Sequence, residues 1–272
     1  MQVREALAAS SAESDLDLLR EAAGEAGRIA MRYFKQNPEV WMKGGTSPVS
    51  EADYAADRYL FKALLDARPD YGWLSEETVE NRRSAKGKRS FIVDPIDGTR
   101  GFLEGNPQWC VSTAIVEDGR TIAGVLECPA TGESFEAVRG GGARLNGMPI
   151  RVRAHGDGDL SLGGPKAMGG LLPSVWRGRA RPYSYVPSLA YRIALIACGR
   201  LDATFIKPNA HDWDIAAAML ILEEAGGLVL NEYGRQPELG LADPRHAALA
   251  AGSGPLLEVM VEALAEYPGS AD

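Results

Sequence analysis

Leu16, Leu19, Ala23, Ala26, Ala30 and Tyr33 recur at helical spacing, so the chain opens on an amphipathic helix with Ser14 as its N-cap. Ala56, Leu60, Leu64 and Ala67 repeat that period after Ser50, and Pro69 stands beyond the end. The pattern then shortens to strand-like runs: Phe91–Val93, Val111–Val116, Thr121–Glu127 and Ser134–Val138. Glu117-Asp118-Gly119-Arg120 and Ala130-Thr131-Gly132 read as hairpin turns between them. Arg139-Gly140-Gly141-Gly142 and Asn146-Gly147 mark further tight turns.

From Ser188 the pattern changes character. Ser188–Cys198 predicts a helix stopped by Gly199, and Asp202–Ile206 a short strand. Ala216, Ala217, Leu220 and Ile221 give the helix from Trp213 to Ala225 its apolar face, and Gly226-Gly227 ends it. Leu228–Asn231 predicts a strand, and a last helix starts near Pro255, where a missing N–H costs nothing. The first half thus reads as α+β with antiparallel strands, and the second as alternating α/β. A boundary near residue 150 divides an N-terminal domain (1–150) from a C-terminal one (151–272).

Composition narrows the function classes. The 272 residues are 45% hydrophobic and 24% charged, as in an ordinary globular protein able to bury a full core. No apolar run is long enough to span a membrane, and the acidic N-terminus lacks the pattern of a signal peptide. A net charge of −8 speaks against binding a nucleic-acid polymer. Cys110, Cys128 and Cys198 are odd in number and have no metal-like spacing, which fits free thiols in the cytoplasm.

The most telling chemistry is the segment Asp94-Pro95-Ile96-Asp97-Gly98-Thr99, directly after Phe91–Val93. A strand ending this way delivers carboxylate oxygens for a hard divalent cation and free N–H groups for phosphate. Asp53 after Ser50, Glu76-Glu77 before the strand, and Asp214 after Trp213 each sit at the edge of an element. Alone, each reads as a capping or solvated acid. Converging in one crevice, they would repel one another strongly unless cations intervened. His211 and the other two histidines are assigned no role.

These stretches resemble the inositol monophosphatase superfamily of Mg²⁺-dependent, Li⁺-sensitive phosphatases, which includes inositol monophosphatases, 3′(2′),5′-bisphosphate nucleotidases and a histidinol-phosphatase branch. The matching residues are Glu76-Glu77, the Asp94–Thr99 segment, and Trp213-Asp214 followed by Glu224-Ala225-Gly226-Gly227. Lys43 with Asp53, and Ser188 ahead of its helix, also fit, so the likeness runs from about residue 14 to about 265. The resemblance implies a layered α-β-α-β-α sandwich of the sugar-phosphatase type, commonly a homodimer, acting on a small-molecule phosphate ester. It implies that Glu76, Asp94 and the Ile96 carbonyl hold one Mg²⁺. Asp94, Asp97 and Asp214 would hold a second, with Glu76 reaching a third through water. Asp53 and Thr99 would orient and deprotonate the attacking water, and the Gly98 and Thr99 N–H groups would receive the phosphate. Ser188, Lys207 and Asp214 would meet the substrate.

The chain departs from that pattern at three places. Ser75 replaces the Gly before the Glu pair, and Arg100-Gly101-Phe102 replaces the usual Thr/Ser-Asn-Phe. Lys207 stands where inositol enzymes often carry a Glu that accepts from sugar hydroxyls; a cation cannot accept, but it can meet a second phosphate. The leading substrate expectation is therefore adenosine 3′,5′-bisphosphate, cleaved to AMP and phosphate. The alternatives are inositol 1-phosphate and then histidinol phosphate. Two other classes compete: a glycosidase using Asp94 and Asp97 as its carboxylate pair, and a non-enzymatic metal-binding regulatory protein.

Overall fold

The computed structural model of the protein describes residues 2–43, 47–78 and 88–267, with side chains from residue 13 onward. The chain begins with α1 (Gln2–Met31), the antiparallel pair β1 (Val40–Lys43) and β2 (Ser47–Ser50), and α2 (Glu51–Ala67). β3 (Gly72–Ser75), β4 (Arg89–Asp97) and the short α3 (Thr99–Leu103) follow. Next come β5 (Cys110–Glu117), β6 (Arg120–Cys128), β7 (Glu133–Val138), β8 (Ala143–Leu145) and β9 (Met148–Pro149). After them run β10 (Leu160–Gly163), α4 (Lys166–Gly169), α5 (Ser174–Arg179), β11 (Ala180–Pro182), α6 (Leu189–Ala197) and β12 (Ala203–Ile206). The chain ends with β13 (Ala210–His211), α7 (Asp212–Glu224), β14 (Leu228–Leu230), β15 (Arg245–His246), β16 (Leu249–Gly252) and α8 (Gly254–Ala265).

Strands β3 to β9 form one sheet in sequence order, antiparallel except for the parallel pair β3–β4. A second, mixed sheet has the order β11-β10-β12-β16-β14. Alternation along the central strands shows why helices must cover both faces. In β4, Phe91 and Val93 join the core with α1 and α2, while Ile92 points into the core with α6 and α7. In β12, Phe205 packs beside Leu256, Leu257 and Met260 of α8, whereas Ile206 faces the α6–α7 side. The result is five layers: α1 and α2, the seven-stranded sheet, α6 and α7, the five-stranded sheet, and α8. This is the layered α-β-α-β-α sandwich that the sequence resemblance implies.

Three local expectations need correction. The first helix starts at Gln2, so Ser14 lies inside α1, and its hydroxyl accepts from Arg68 Nη2 at 3.1 Å rather than capping. The first sheet is not wholly antiparallel, because β3 has only four residues, too few to show a period, and pairs parallel to β4. Helix α7 has no single apolar face: Ile215 to Leu222 are buried on every side, as a helix between two sheets must be. Gly124 in β6 permits that close packing, since a Cβ there would lie 3.0 Å from Ala217 Cα.

Candidate active site

Three chain segments end at one cleft. β4 supplies the first, and its ladder with β5 slips between the pairs Asp94↔Ser112 and Asp97↔Cys110. Pro95 has no N–H for the ladder, so a bulge is the natural place for it. Within the bulge, Asp94 Oδ1 accepts from Ile96 N at 3.0 Å, which fixes the carboxylate. Gly98 then turns the chain into α3 with φ +93°, and an added Cβ would meet Ser188 N at 3.0 Å. Gly98→Ala is expected to destabilise the protein by about 1–2 kcal/mol through left-handed backbone strain alone. A urea midpoint equal to wild type would contradict this.

β3 supplies the second segment. The parallel register Ser75↔Val93 places Glu76 beside Asp94. Ser75, the residue that departs from the family Gly, donates to Asp57 Oδ1 at 2.5 Å and accepts from Glu77 N at 3.3 Å, so it braces the turn. Lys43 Nζ lies 2.5 Å from Glu77 Oε2 and 3.7 Å from Glu76 Oε1. Burial and the charge of Glu76 push the Glu77 carboxyl up to about 8, against the pull of Lys43.

The first turn of α7 supplies the third. Asp214 Oδ2 accepts from His211 N at 2.7 Å, closing a capping box whose acid also suits the helix dipole. The His211 ring stacks on Trp213 at 4.5 Å, and His246 Nε2 lies 2.8 Å from Asp212 Oδ1. The histidines around α7 therefore shape the helix start rather than the cleft chemistry.

Glu76, Asp94 and Asp214 each present a carboxylate oxygen, all within 4.8 Å of one another. Burial, then Glu76, Asp97 and Asp214, hold the Asp94 carboxyl well above its usual range. Burial and Asp97 do the same to Asp214, and burial raises Glu76 against the attraction of Lys43. An all-oxygen set of mutually repelling carboxylates fits a hard divalent cation, which relieves the repulsion that protons otherwise must.

The remaining expected residues fall around this group. Asp97 lines the same cleft of about 210 Å³, but its Oδ2 accepts from Ser188 Oγ at 2.5 Å and Ala190 N at 2.6 Å. Ser188 is fully buried at the N-cap of α6, so its hydroxyl reaches Asp97 and Tyr191 N rather than the cleft. Asp53 Oδ2 accepts from Ser50 N and Oγ at 2.8 and 2.6 Å, and its Oδ1 lies 3.1 Å from Thr99 Oγ1. Thr99 Oγ1 is also 3.0 Å from the Ile96 carbonyl. Gly98, Thr99 and Arg100 line the cleft floor, whereas Lys207 lines a neighbouring cavity with Lys166 and Arg192. Sequence reasoning missed Arg192 because it falls within an apolar helix, Leu189–Ala197, that reads as core.

Comparison with known proteins bears on this geometry. Residues 12–267 match the model of the inositol monophosphatase family. The chain is 36% identical over 223 residues to an inositol-1-monophosphatase of Rhizobium meliloti, covering 78% of this chain and 83% of that protein. It is 33% identical over 237 residues to a histidinol-phosphatase of Chlorobaculum parvum, covering 82% and 87%. Among solved structures, the extragenic suppressor protein suhB of Bartonella henselae superposes with a TM-score of 0.81 at 32% identity, covering 92% of this chain and 98% of that one.

Proposed function

The chain belongs to the inositol monophosphatase family, a family of phosphatases, and on that premise we propose that its cleft hydrolyses a small phosphate monoester with two or three Mg²⁺ ions. The observation that carries the reading is the meeting of Glu76, Asp94 and Asp214 oxygens within 4.8 Å, beside the Asp53–Thr99 pair. Glu76, Asp94 and the Ile96 carbonyl would hold one ion, and Asp94, Asp97 and Asp214 would hold a second. When bound, such ions neutralise the ester oxygens and make water acidic enough to attack near neutral pH.

The chain's own residues supply positioning and proton movement. Asp53 has one oxygen saturated by Ser50, which leaves Oδ1 for the Thr99 hydroxyl. Thr99 passes its proton to Asp53 Oδ1 and takes one from the attacking water. Burial raises the Asp53 pKa, opposed by its bonds from Ser50, and so makes the carboxylate a better acceptor. The amides of Gly98, which caps α3, and of Thr99, its first residue, receive the phosphate. Ser188 positions Asp97. Asp53→Asn is expected to lower kcat by about 10²–10⁴-fold with little change in KM, the usual cost of losing a general base. Steady-state phosphate release checks both parameters.

For the substrate, the relatives' names support the inositol 1-phosphate alternative better than the nucleotide that Lys207 first suggests. Phosphate release from inositol 1-phosphate, histidinol phosphate and adenosine 3′,5′-bisphosphate, with Mg²⁺ and again with EDTA, tests the reading. Turnover that survives EDTA would overturn it and return the carboxylates to a glycosidase-like role. Homodimerisation, Li⁺ inhibition and a cytoplasmic location complete the reading. The first two rest on the family resemblance and the last on three free thiols. We place the domain boundary near residue 150, where the chain passes from β9 to β10 and so from one sheet to the other.

A further inference from the structure

Asp97 faces the cleft on one side and positive groups on the other. Its Oδ2 accepts from Ser188 Oγ and Ala190 N at 2.5 and 2.6 Å, both at the start of α6. That leaves Oδ1 as the oxygen it can offer to an ion. Arg192 extends from the same turn of α6, where its backbone N donates to the Ser188 carbonyl at 3.1 Å. Its side chain lines the neighbouring cavity and not the cleft, so the guanidinium stands behind Asp97 as seen from the acids.

This cation is not neutralised on the spot. The Arg192 Nε is buried without a hydrogen bond, and among the described residues Arg192 forms no ion pair within 4 Å. Lys43, on the far side of the acids, differs: its Nζ lies 2.5 Å from Glu77 Oε2. Burial pulls the Arg192 pKa down, and Asp97 is the carboxylate whose charge opposes that pull. A guanidinium keeps its proton even so, and a buried charge is little screened by salt. Its field therefore reaches whatever cation Asp97 binds. A divalent ion feels that field twice as strongly as the proton it displaces, so exchange of a proton for Mg²⁺ is opposed at any pH.

Building on the reading of the cleft as a Mg²⁺-dependent phosphatase site, we infer that Arg192 weakens the ion that Asp94, Asp97 and Asp214 would share. It acts across Asp97 and touches neither the ion nor the substrate. The second ion is thereby kept exchangeable, and the site fills in step with the Mg²⁺ concentration.

Calorimetric titration of the metal-free full chain with Mg²⁺ at pH 8 tests this, with phosphate release from inositol 1-phosphate assayed alongside. Arg192→Met keeps an apolar stem and removes the charge. It should lower the half-saturating Mg²⁺ concentration by about 5- to 30-fold, as for a unit charge several Å from a divalent ion in partly solvated surroundings. Arg192→Lys keeps the charge and should stay within about threefold of wild type. A side chain that merely braces α6 gives the opposite sign, with Mg²⁺ binding weakened in both variants. Arg192→Gln repeats the neutral substitution in case the methionine variant does not fold.

A neutral variant that binds Mg²⁺ no more tightly than wild type overturns the inference, as does a lysine variant that tightens as much as the neutral one. Either result, with inositol 1-phosphate still hydrolysed, leaves the phosphatase reading standing. Tightening in the neutral variant with no ester hydrolysed by wild type keeps the role of Arg192 and ends the phosphatase reading. If neither wild type nor the neutral variants bind Mg²⁺, both fall together.

Discussion

Asp94→Asn is expected to abolish Mg²⁺-dependent phosphate release, by about 1000-fold or more, while the metal-free protein melts at a higher temperature than wild type. The two effects have one origin. Asp94 is buried beside Glu76, Asp97 and Asp214, and those neighbours push its carboxyl well up. As a carboxylate it would be a ligand of the proposed ions, and an amide cannot replace its charge. Loss of a main electrostatic stabiliser of a reaction costs on the order of 10²–10³ by itself, and a misplaced ion adds to that. The bond from Ile96 N to Asp94 Oδ1 at 3.0 Å, by contrast, is one that an asparagine carbonyl keeps. Removing one of several crowded charges then relieves repulsion. Each kcal/mol so recovered raises the melting temperature of a chain this size by about 2–4 °C. Calorimetric melting in EDTA, run beside phosphate release in Mg²⁺, reads both effects. A variant that retains turnover, or that melts well below wild type, would remove Asp94 from this role.

That opposition between stability and function explains which parts of the site the sequence revealed. Asp94 and Asp97 were legible because an apolar strand runs directly into two acids, a Pro and a Gly-Thr turn, a pattern with no use in a plain hairpin. Ser50 and Asp53 were legible as a helix start, and α2 begins there, with Asp53 in its first turn. Glu76 and Asp214 carried no such mark. Taken singly they are ordinary element-edge acids; their meeting with Asp94 was readable as a condition, and the likeness to a family gave it weight. The fate of Asp97 was hidden altogether, because its bonds to Ser188 and Ala190 depend on how α6 docks, more than 90 residues along the chain. Short strands were the other blind spot. β3 carries Glu76 to the cleft in four residues, fewer than any periodicity needs. Arg192 was lost for the reverse reason: its helix is so apolar that the pattern reads as core throughout. Acids packed into one turn announce themselves in sequence, whereas charges that a fold gathers from distant segments do not.

The same crowding makes the metal-free protein sensitive to pH in a direction that can be worked out. Asp94, Asp97, Asp214 and Glu76 all have carboxyls raised by burial in the folded chain, and Glu77 is pushed up to about 8. A carboxyl with a higher pKa folded than unfolded holds its proton more tightly in the fold. Its share of stability is therefore complete below the unfolded value and is lost as pH rises through the folded one. In EDTA, the melting temperature is expected to fall as pH goes from about 5 to about 8, the range between ordinary carboxyl values and that of Glu77. Mg²⁺ should reverse the trend, since it binds the deprotonated ligands and only in the fold. At about 100 times its dissociation constant it adds about 2.7 kcal/mol, or roughly 5–10 °C, and the gain should be larger at pH 8 than at pH 5. A melting temperature flat across that range in EDTA would mean that the carboxylates do not repel as their placement requires. An equal Mg²⁺ increment at both pH values would mean that the ion binds elsewhere, away from the charges that β3, β4 and α7 bring together.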